Sequence, residues 1–226
     1  MEIKERFEAV QRRIRNTEAA GGRPLNSVGL IAVSKTQPAQ AIRQAYLLGQ
    51  RDFGENYLQE ALAKQQELTD LDDIVWHFIG PIQSNKTRPI AEHFDWVHTC
   101  DRIKTAERLH QHRPSHLPPL NVCIQVNVSE EVTKAGAKLS ELAGLSARIG
   151  QLHRLCLRGL MAIPAPMDHS DQDPGQPFRI LREAAQSLSI PVDTLSMGMS
   201  DDLEWAIREG ATWVRIGTAL FGPRHP

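Results

Sequence analysis

The sequence predicts an α/β protein, a single (β/α)8 TIM barrel spanning residues 1–226 with an extra N-terminal helix. Eight short strand signals alternate along the chain with helix signals, in the order that a closed parallel barrel requires. Runs such as LIAV at 30–33 are apolar throughout, as in strands buried on both faces. The alternative is an open sheet of six or seven strands, but no glycine-rich dinucleotide motif follows the first strand.

Hydrophobic spacing and helix-ending residues place the elements of the first half. Residues 2–19 carry an apolar stripe at helical spacing, which Gly21 and Gly22 end. Pro38 suits the first turn of the next helix, and Gly49 suits its C-terminal cap. Strands are predicted at 28–34, 51–54, 74–80 and 96–98, and the other helices of this half begin near 57, 84 and 101.

The second half continues the alternation. Strands are predicted at 120–128, 155–161, 194–197 and 212–216, and helices at 139–149, 178–188 and 203–207. The polar stretch 168–177 is predicted to be a surface loop. The ten residues after the eighth strand are too few for a second domain.

Composition and charge exclude several classes of partner. A formal net charge of −1 gives no general attraction to nucleic acid or to an anionic membrane, and the basic cluster Arg12, Arg13 and Arg15 is predicted to be a solvated helix face. No apolar run approaches the ~20 residues of a membrane span, and the N-terminus is charged where a signal peptide is apolar. Three widely spaced cysteines suggest neither disulfides nor a metal site. We therefore expect a cytoplasmic protein without metal, membrane or nucleic-acid partners.

One lysine stands out because it follows the first buried strand directly. Lys35 is costly to bury unless it is paired or has a chemical role, although it could also simply reach water from the strand end. In a parallel barrel the C-terminal ends of all strands meet at one face, where functional sites lie. Residues expected at this face besides Lys35 are Glu55, Asn56, Gln83, Asn85, Lys86, Met199, Ser200, Gly217 and Thr218.

The loops after the seventh and eighth strands predict an anion site. Barrels frequently bind phosphate there, with the help of a helix N-terminus. Ser200 is predicted to be the N-cap of the following helix, and Gly217 and Thr218 offer amides and a hydroxyl. Alternatively, Ser200 only caps its helix and Gly217 only turns the chain.

A reactive amine and an anion site at one rim together suggest a phosphorylated aldehyde held as a Schiff base. Desolvation lowers the pKa of a lysine from ~10.4 and makes the neutral amine accessible. Pyridoxal phosphate (PLP) meets both demands. Arg215 is expected to point into the barrel, where it could meet the pyridine nitrogen, or it could instead pair with a barrel carboxylate such as Glu55.

Short motifs along nearly the whole chain resemble one family. They are AVSKT at 32–36, FGENY at 53–57, HFIG at 77–80 with Gln83, Asn85 and Lys86, GLM at 159–161, SMGMSD at 196–201, and VRIGTA at 214–219 with Phe221 and Gly222. Taken together and in this order, they resemble the pyridoxal phosphate homeostasis proteins, single-barrel relatives of the alanine racemase N-terminal domain. The resemblance implies a fold-type III PLP-binding barrel.

The same resemblance implies a role for each site residue. Lys35 would form the Schiff base with PLP, Arg215 would face the pyridine nitrogen, and Asn56 would lie near the ring. Met199, through its amide, and Ser200, Gly217 and Thr218 would hold the phosphate. The implied function is intracellular PLP homeostasis, with PLP-dependent apoenzymes as possible recipients and a monomer as the simplest assembly.

The sequence favours a carrier of the cofactor over an enzyme. In the racemases that the family resembles, a second base is a tyrosine from an additional C-terminal domain, whereas Tyr46 and Tyr57 are not well placed for this role. A weak racemase or lyase remains the alternative. A Schiff-base aldolase and a metal-dependent hydrolase using His110 and His112 are disfavoured, the latter because this pair lies at a helix end.

Two further lysines and two histidines lie in or after predicted strands. Lys86 and Lys134 follow the third and fifth strands, where either could transiently accept the aldehyde as it leaves Lys35 or could simply be a surface lysine. His77 and His98 are predicted to be isolated histidines of the barrel or its rim.

Overall fold

The barrel predicted from the sequence is the observed fold. The structure, a computed structural model, describes residues 2–129, 135–165 and 173–223. Within those residues eight parallel strands close into a barrel in chain order, and the pairing of the first strand with the eighth completes the ring. This closure confirms the (β/α)8 prediction and rejects the open sheet.

The elements agree with the predicted alternation. The strands are β1 (Gly29–Val33), β2 (Asp52–Glu55), β3 (Val75–Phe78), β4 (Trp96–Cys100), β5 (Leu120–Gln125), β6 (Leu155–Met161), β7 (Thr194–Ser196) and β8 (Trp213–Ile216). In the described part of the chain the α-helices are α1 (Ile3–Ala20), α2 (Ala39–Leu47), α3 (Leu58–Glu67), α4 (Thr87–His93), α5 (Ile103–His112), α6 (Leu142–Ile149), α7 (Gln176–Gln186), α8 (Leu203–Arg208) and α9 (Thr218–Phe221). Short 3-10 segments, Ser84–Lys86 and Leu139–Glu141, precede α4 and α6. The sequence did not predict α9, which is only one turn long.

The N-terminal helix packs outside the ring beside its last two helices. The predicted stripe of α1 is buried at Phe7, Val10 and Ile14, and the helix contacts α8 and α9. Each such side chain contributes about 1.5–3 kcal/mol when fully buried. The helix is therefore held against the part of the barrel that carries the loops after β7 and β8.

Large rings fill the barrel interior towards the N-terminal ends of the strands. A Cβ on Gly29 would lie 2.3 Å from the ring of Trp213, so only glycine leaves room for this indole. The ring of His77 stacks on that of Trp96 with centroids 5.6 Å apart. This packed layer lies beneath the C-terminal rim, where the open space of the barrel is found.

Neither a membrane span nor a metal centre is found in the described ranges. No helix there is long and apolar enough to cross a bilayer. No three histidine, cysteine or acidic side chains of those ranges lie together as metal ligands would.

Candidate cofactor site

A cavity of about 490 Å³ opens at the C-terminal ends of the strands. This volume lies within the range of ~300–1,000 Å³ that is usual for small-molecule sites. The loops after β1, β2, β7 and β8 contribute to its wall. The seven residues that the sequence assigned to cofactor binding all line it: Lys35, Asn56, Met199, Ser200, Arg215, Gly217 and Thr218.

The lysine of this cavity sits in a tight turn. The Gln37 amide donates to the Ser34 carbonyl over 3.0 Å, so Lys35 and Thr36 are the two central residues. Thr36 has a φ of +64°, in the left-handed region that a β-branched residue rarely adopts. This conformation costs about 1–2 kcal/mol relative to the right-handed one, so contacts around the turn must hold it in place.

The residues of the predicted anion site line one side of the cavity, but Ser200 is not an N-cap. A turn over residues 199–202 intervenes before α8, so Asp202 is the N-cap and the prediction for Ser200 is wrong. The Ser200 hydroxyl instead accepts a hydrogen bond of 3.4 Å from the Ala219 amide. The predicted anion site therefore lies between that turn and the start of α9, whose N-cap is Gly217.

The Met199 amide, expected to hold a phosphate, has a partner within the chain. It donates to Oδ1 of Asp202 over 2.5 Å. Burial raises the pKa of the Asp202 carboxyl, and the hydrogen bond from Met199 and the charge of Arg215 oppose this rise. An anion that uses the Met199 amide must therefore compete with a carboxylate of the chain.

Arg215 projects into the barrel and ends beside the cavity. Its Nη1 donates to Oγ of Ser196 over 2.8 Å, and its Nη2 donates to the carbonyl of Ala162 over 2.8 Å. Burial lowers the pKa of Arg215 to about 10, so the guanidinium is still charged at pH 7. The alternative partner Glu55 is excluded because this carboxylate points out of the barrel, towards Ser34 and Lys64.

A column of polar side chains crosses the barrel behind Arg215. Ser196 lies 2.9 Å from Nδ1 of His98, whose Nε2 lies 2.9 Å from Nδ1 of His77. Nε2 of His77 in turn lies 3.0 Å from Oδ1 of Asp52. Burial lowers the pKa of His98 well below its ordinary value, and the charge of Arg215 acts in the same direction. The prediction of isolated histidines was wrong, since alternation along β3 and β4 turns both rings inward.

Arg13, which was predicted to be solvated, is a residue of the cavity wall. Its guanidinium lines the cavity, donates from Nη2 to the Ser200 carbonyl over 2.9 Å, and forms a 2.7 Å ion pair with Glu204. The solvated-face prediction fails for Arg13 because α1 packs beside α8 and turns this position towards the loop after β7. The sequence shows only a cluster of three arginines, and nothing in that cluster distinguishes the one that contacts the loop after β7.

Other residues predicted at the rim do not reach the cavity. Glu55 belongs to β2 and faces outward, and Gln83, Asn85 and Lys86 lie after β3 but are absent from the described lining of the cavity. Lys86, one of the two hypothetical second acceptors, is in the 3-10 segment before α4. Lys134, the other, lies outside the described residues.

The fold and this cavity define a class of protein. A lysine after β1, an inward arginine on β8 and the hydroxyls of Ser200 and Thr218 after β7 and β8 share one rim of a parallel barrel. The family model for the alanine racemase N-terminal domain matches residues 6–225 of the chain. The match covers nearly the whole barrel, in agreement with the resemblance of the motifs.

Comparison with three similar proteins identifies the family within this class. The pyridoxal phosphate homeostasis protein of Pseudomonas aeruginosa is 60% identical over 222 residues, covering 98% of this chain and 96% of that protein. The protein of the same name from Escherichia coli K12 is 52% identical over 211 residues, covering 90% and 88%. PipY of Synechococcus elongatus, solved with PLP bound, is 42% identical with a TM-score of 0.82, covering 98% and 100%. The chain belongs to the pyridoxal phosphate homeostasis proteins within the alanine racemase N-terminal domain family.

Proposed function

We propose that this protein binds PLP in the rim cavity, holds it as a Schiff base on Lys35, and takes part in PLP homeostasis by releasing or buffering it. The observation that carries the proposal is the convergence of Lys35, Arg215 and the Ser200 and Thr218 hydroxyls on one cavity. The PLP-bound structure of PipY and the names of the relatives at 52–60% identity support it.

The side chains of the cavity fit such a cofactor. Lys35 offers an amine, Ser200 and Thr218 offer hydroxyls, and Arg13 and Arg215 offer positive charge for a group that carries a phosphate. Oδ1 of Asn56 is buried and has no hydrogen-bond partner among the described residues, as expected of an atom that awaits a ligand. When bound, PLP supplies an aldehyde that condenses with an amine and loses water.

Each residue then has a distinct task. Lys35 supplies the amine, and the turn around it limits the directions from which that amine can approach a ligand. Ser200, Gly217, Thr218 and the Met199 amide hold the phosphate by hydrogen bonds. Asn56 contacts the ring. Arg215 donates to the pyridine nitrogen and, because a guanidinium only donates, leaves that nitrogen unprotonated.

Two features favour a carrier over an enzyme. An unprotonated pyridine nitrogen weakens the ring as an electron sink. A racemase also needs a base on each side of the reacting carbon, and besides Lys35 the described lining offers only the carboxylate of Asp201. Tyr46 donates to Asp73 away from the cavity, and Tyr57 is 55% exposed and outside the described lining. The second candidate function, a weak racemase or lyase, rests on the shared racemase domain alone.

The setting of this function follows the sequence prediction. PLP-dependent apoenzymes would receive the cofactor, and the protein would act as a monomer in the cytoplasm. The names of the bacterial relatives support a role in homeostasis.

The test is a spectrum of the protein mixed with PLP, with Lys35→Ala as the variant and Lys86→Ala as the matched control. We expect the absorption band of an imine in the wild type and in Lys86→Ala, and its loss in Lys35→Ala. Borohydride reduction and peptide mapping should then find the label on Lys35. A wild type that stays colourless with PLP would contradict the proposal. Turnover of alanine or serine above ~1 per second would favour the enzyme instead.

A further inference from the structure

The turn that carries Lys35 is held from the outer side of the barrel by three charged residues. Lys64 on α3 is only 4% exposed, and its Nζ donates to the Ser34 carbonyl over 2.7 Å. The same nitrogen lies 2.8 Å from Oε1 of Glu55 and 2.5 Å from Oε1 of Glu60. A lysine has three hydrogens to donate, and here all three have acceptors. We call Glu55, Glu60 and Lys64 the Lys64 cluster.

Both carboxylates of the Lys64 cluster also contact a neighbour of Lys35. Oε1 of Glu60 accepts the amide hydrogen of Thr36 over 2.6 Å. Oε1 of Glu55 accepts the hydroxyl hydrogen of Ser34 over 2.6 Å. The residues on either side of Lys35 are thus fixed to α3 and β2, while Lys35 itself borders the cavity.

Thr36 is the residue of this turn with the unfavourable backbone conformation. Its φ of +64° is a conformation that turns usually give to glycine. The hydrogen bond to Glu60 uses the Thr36 amide, whose direction depends on the conformation of the turn. Glu60 therefore favours the one turn geometry in which its oxygen can accept this hydrogen.

Stability alone is a poor explanation for the Lys64 cluster. Buried ion pairs contribute little net stability, because desolvation offsets their attraction and apolar side chains could fill the same space. Glu55 is fully buried, and its Oε2 has no hydrogen-bond partner among the described residues. Burial raises the pKa of Glu55, against the opposing charge of Lys64. Such a costly arrangement around a strained turn points to a role in positioning.

We propose that Glu60 and Lys64 are positioning residues for the amine of Lys35, a role that rests on the proposed function. The lone pair of the amine forms the C–N bond to the aldehyde carbon of PLP, and the aldehyde oxygen leaves as water with the two amine hydrogens. The Lys64 cluster fixes the turn so that this approach needs little reorganisation. Its loss should slow the condensation without weakening the hold on the ring and the phosphate, which other loops provide.

The experiment measures the rate of condensation and the affinity for the ring and phosphate separately. The variants are Glu60→Ala and Glu60→Gln, and the control is Glu67→Ala, an exposed position on the same helix. Stopped-flow absorbance measures the rate of condensation with PLP. The affinity for 4′-deoxypyridoxine 5′-phosphate, which has no aldehyde, measures the hold on ring and phosphate alone. We expect condensation to slow ~10- to 100-fold in Glu60→Ala, with analogue affinity unchanged. Glu60→Gln keeps the acceptor for Thr36 and should restore most of the rate.

Each outcome decides the proposal. Wild-type condensation in Glu60→Ala overturns it, as does an equal loss of rate and analogue affinity or a failure of Glu60→Gln to restore the rate. Lys64→Met should be slow for the same reason as Glu60→Ala. If Lys64→Met does not fold, the double variant Glu55→Gln/Lys64→Met removes both buried charges, and a wild-type rate in it would also overturn the proposal. A wild type that never condenses with PLP contradicts the proposed function instead, and is recognised before any variant is compared.

Discussion

Ser196 on β7 and His98 on β4 meet across the barrel interior, with Oγ and Nδ1 2.9 Å apart. The Asp52 carboxylate only accepts, which places the hydrogen of a neutral His77 on Nε2 and, in turn, that of a neutral His98 on Nε2; Nδ1 of His98 therefore accepts the Ser196 hydroxyl hydrogen, while the Ser196 oxygen accepts from Arg215. The Nε2 hydrogen of His98 then reaches Nδ1 of His77, whose own Nε2 hydrogen reaches Asp52. The hydrogen-bond network thus assigns one tautomer to each ring. Every group in the column donates towards the next one, from Arg215 at the cavity to Asp52 at the opposite end of the barrel.

Ser196→Ala should disturb this column at the end that contacts Arg215. The change leaves Nη1 of Arg215 and Nδ1 of His98 without their shared partner in a buried site, which should lower the free energy of unfolding by ~1–3 kcal/mol. Urea unfolding measures the loss. Nitrogen-15 NMR of the wild type should find Nδ1 unprotonated on both His77 and His98. The control is Ser146→Ala. Ser146 is buried and donates a hydrogen bond within its own helix, so its replacement should lower the free energy of unfolding by less. A protonated Nδ1 on either ring would contradict the assigned direction.

Arg13→Gln should weaken binding of the aldehyde-free analogue. Arg13 holds the carbonyl of Ser200 and the first turn of α8 through Glu204, and it is a cation in the cavity wall. Loss of one charge-assisted contact of ~1.4 kcal/mol corresponds to a tenfold loss of affinity, so we expect ~10-fold. Titration calorimetry measures it, with the exposed Arg12→Gln as control. Equal affinities for both variants would assign Arg13 to folding alone.

The sequence was sufficient for the fold because barrel strands carry a local signal. The apolar run before Lys35, and even the short second and fourth strands, were recognised from apolar runs and turn residues. The helix α9 was missed because four residues offer no periodicity. Ser200 was misassigned as an N-cap because the choice between Ser200 and Asp202 depends on one extra turn of chain, which composition does not encode.

The residues behind the site were harder to predict than those lining it. Rim residues follow strand ends, so a topological rule gathers Lys35 and Thr218 without any knowledge of contacts. The partners of His98 and Arg13 lie on elements that are distant in the sequence, and such pairing leaves no pattern in a single sequence. One local signal existed, since Glu60 precedes Lys64 by four residues, the spacing of a helical ion pair.

Gly80→Ala tests how the loop after β3 supports the site. A Cβ at this position would lie 2.0 Å from the carbonyl oxygen of Asn56, so the backbone of a cavity residue must move. We expect a loss of ~1–3 kcal/mol in unfolding free energy, together with weaker analogue binding. Gly144→Ala is the matched control, because nothing lies within 4 Å of its Cβ on the exposed face of α6. The free energy of unfolding of Gly144→Ala should rise by ~0.5–1 kcal/mol. Equal stability of Gly80→Ala and Gly144→Ala would contradict the steric explanation.

Asp202→Asn should change how stability depends on pH. Burial raises the pKa of Asp202 in the folded state above its ordinary value, against the hydrogen bond from Met199 and the charge of Arg215. The contribution of a group with a raised folded-state pKa is complete below its ordinary pKa of ~3.9 and is lost as pH rises through the folded-state value. Asparagine keeps an acceptor for the Met199 amide but has no charge to desolvate, so its variant should be the more stable protein at pH 7.

The difference between Asp202→Asn and the wild type should disappear in acid. Urea unfolding of both proteins at several pH values measures this difference. A variant less stable than the wild type at pH 7 would mean that Met199 and Arg215 stabilise the carboxylate by more than burial costs it. In that case the Asp202 carboxylate would be a strong competitor for the Met199 amide, and Asp202→Asn should bind the aldehyde-free phosphate analogue more tightly.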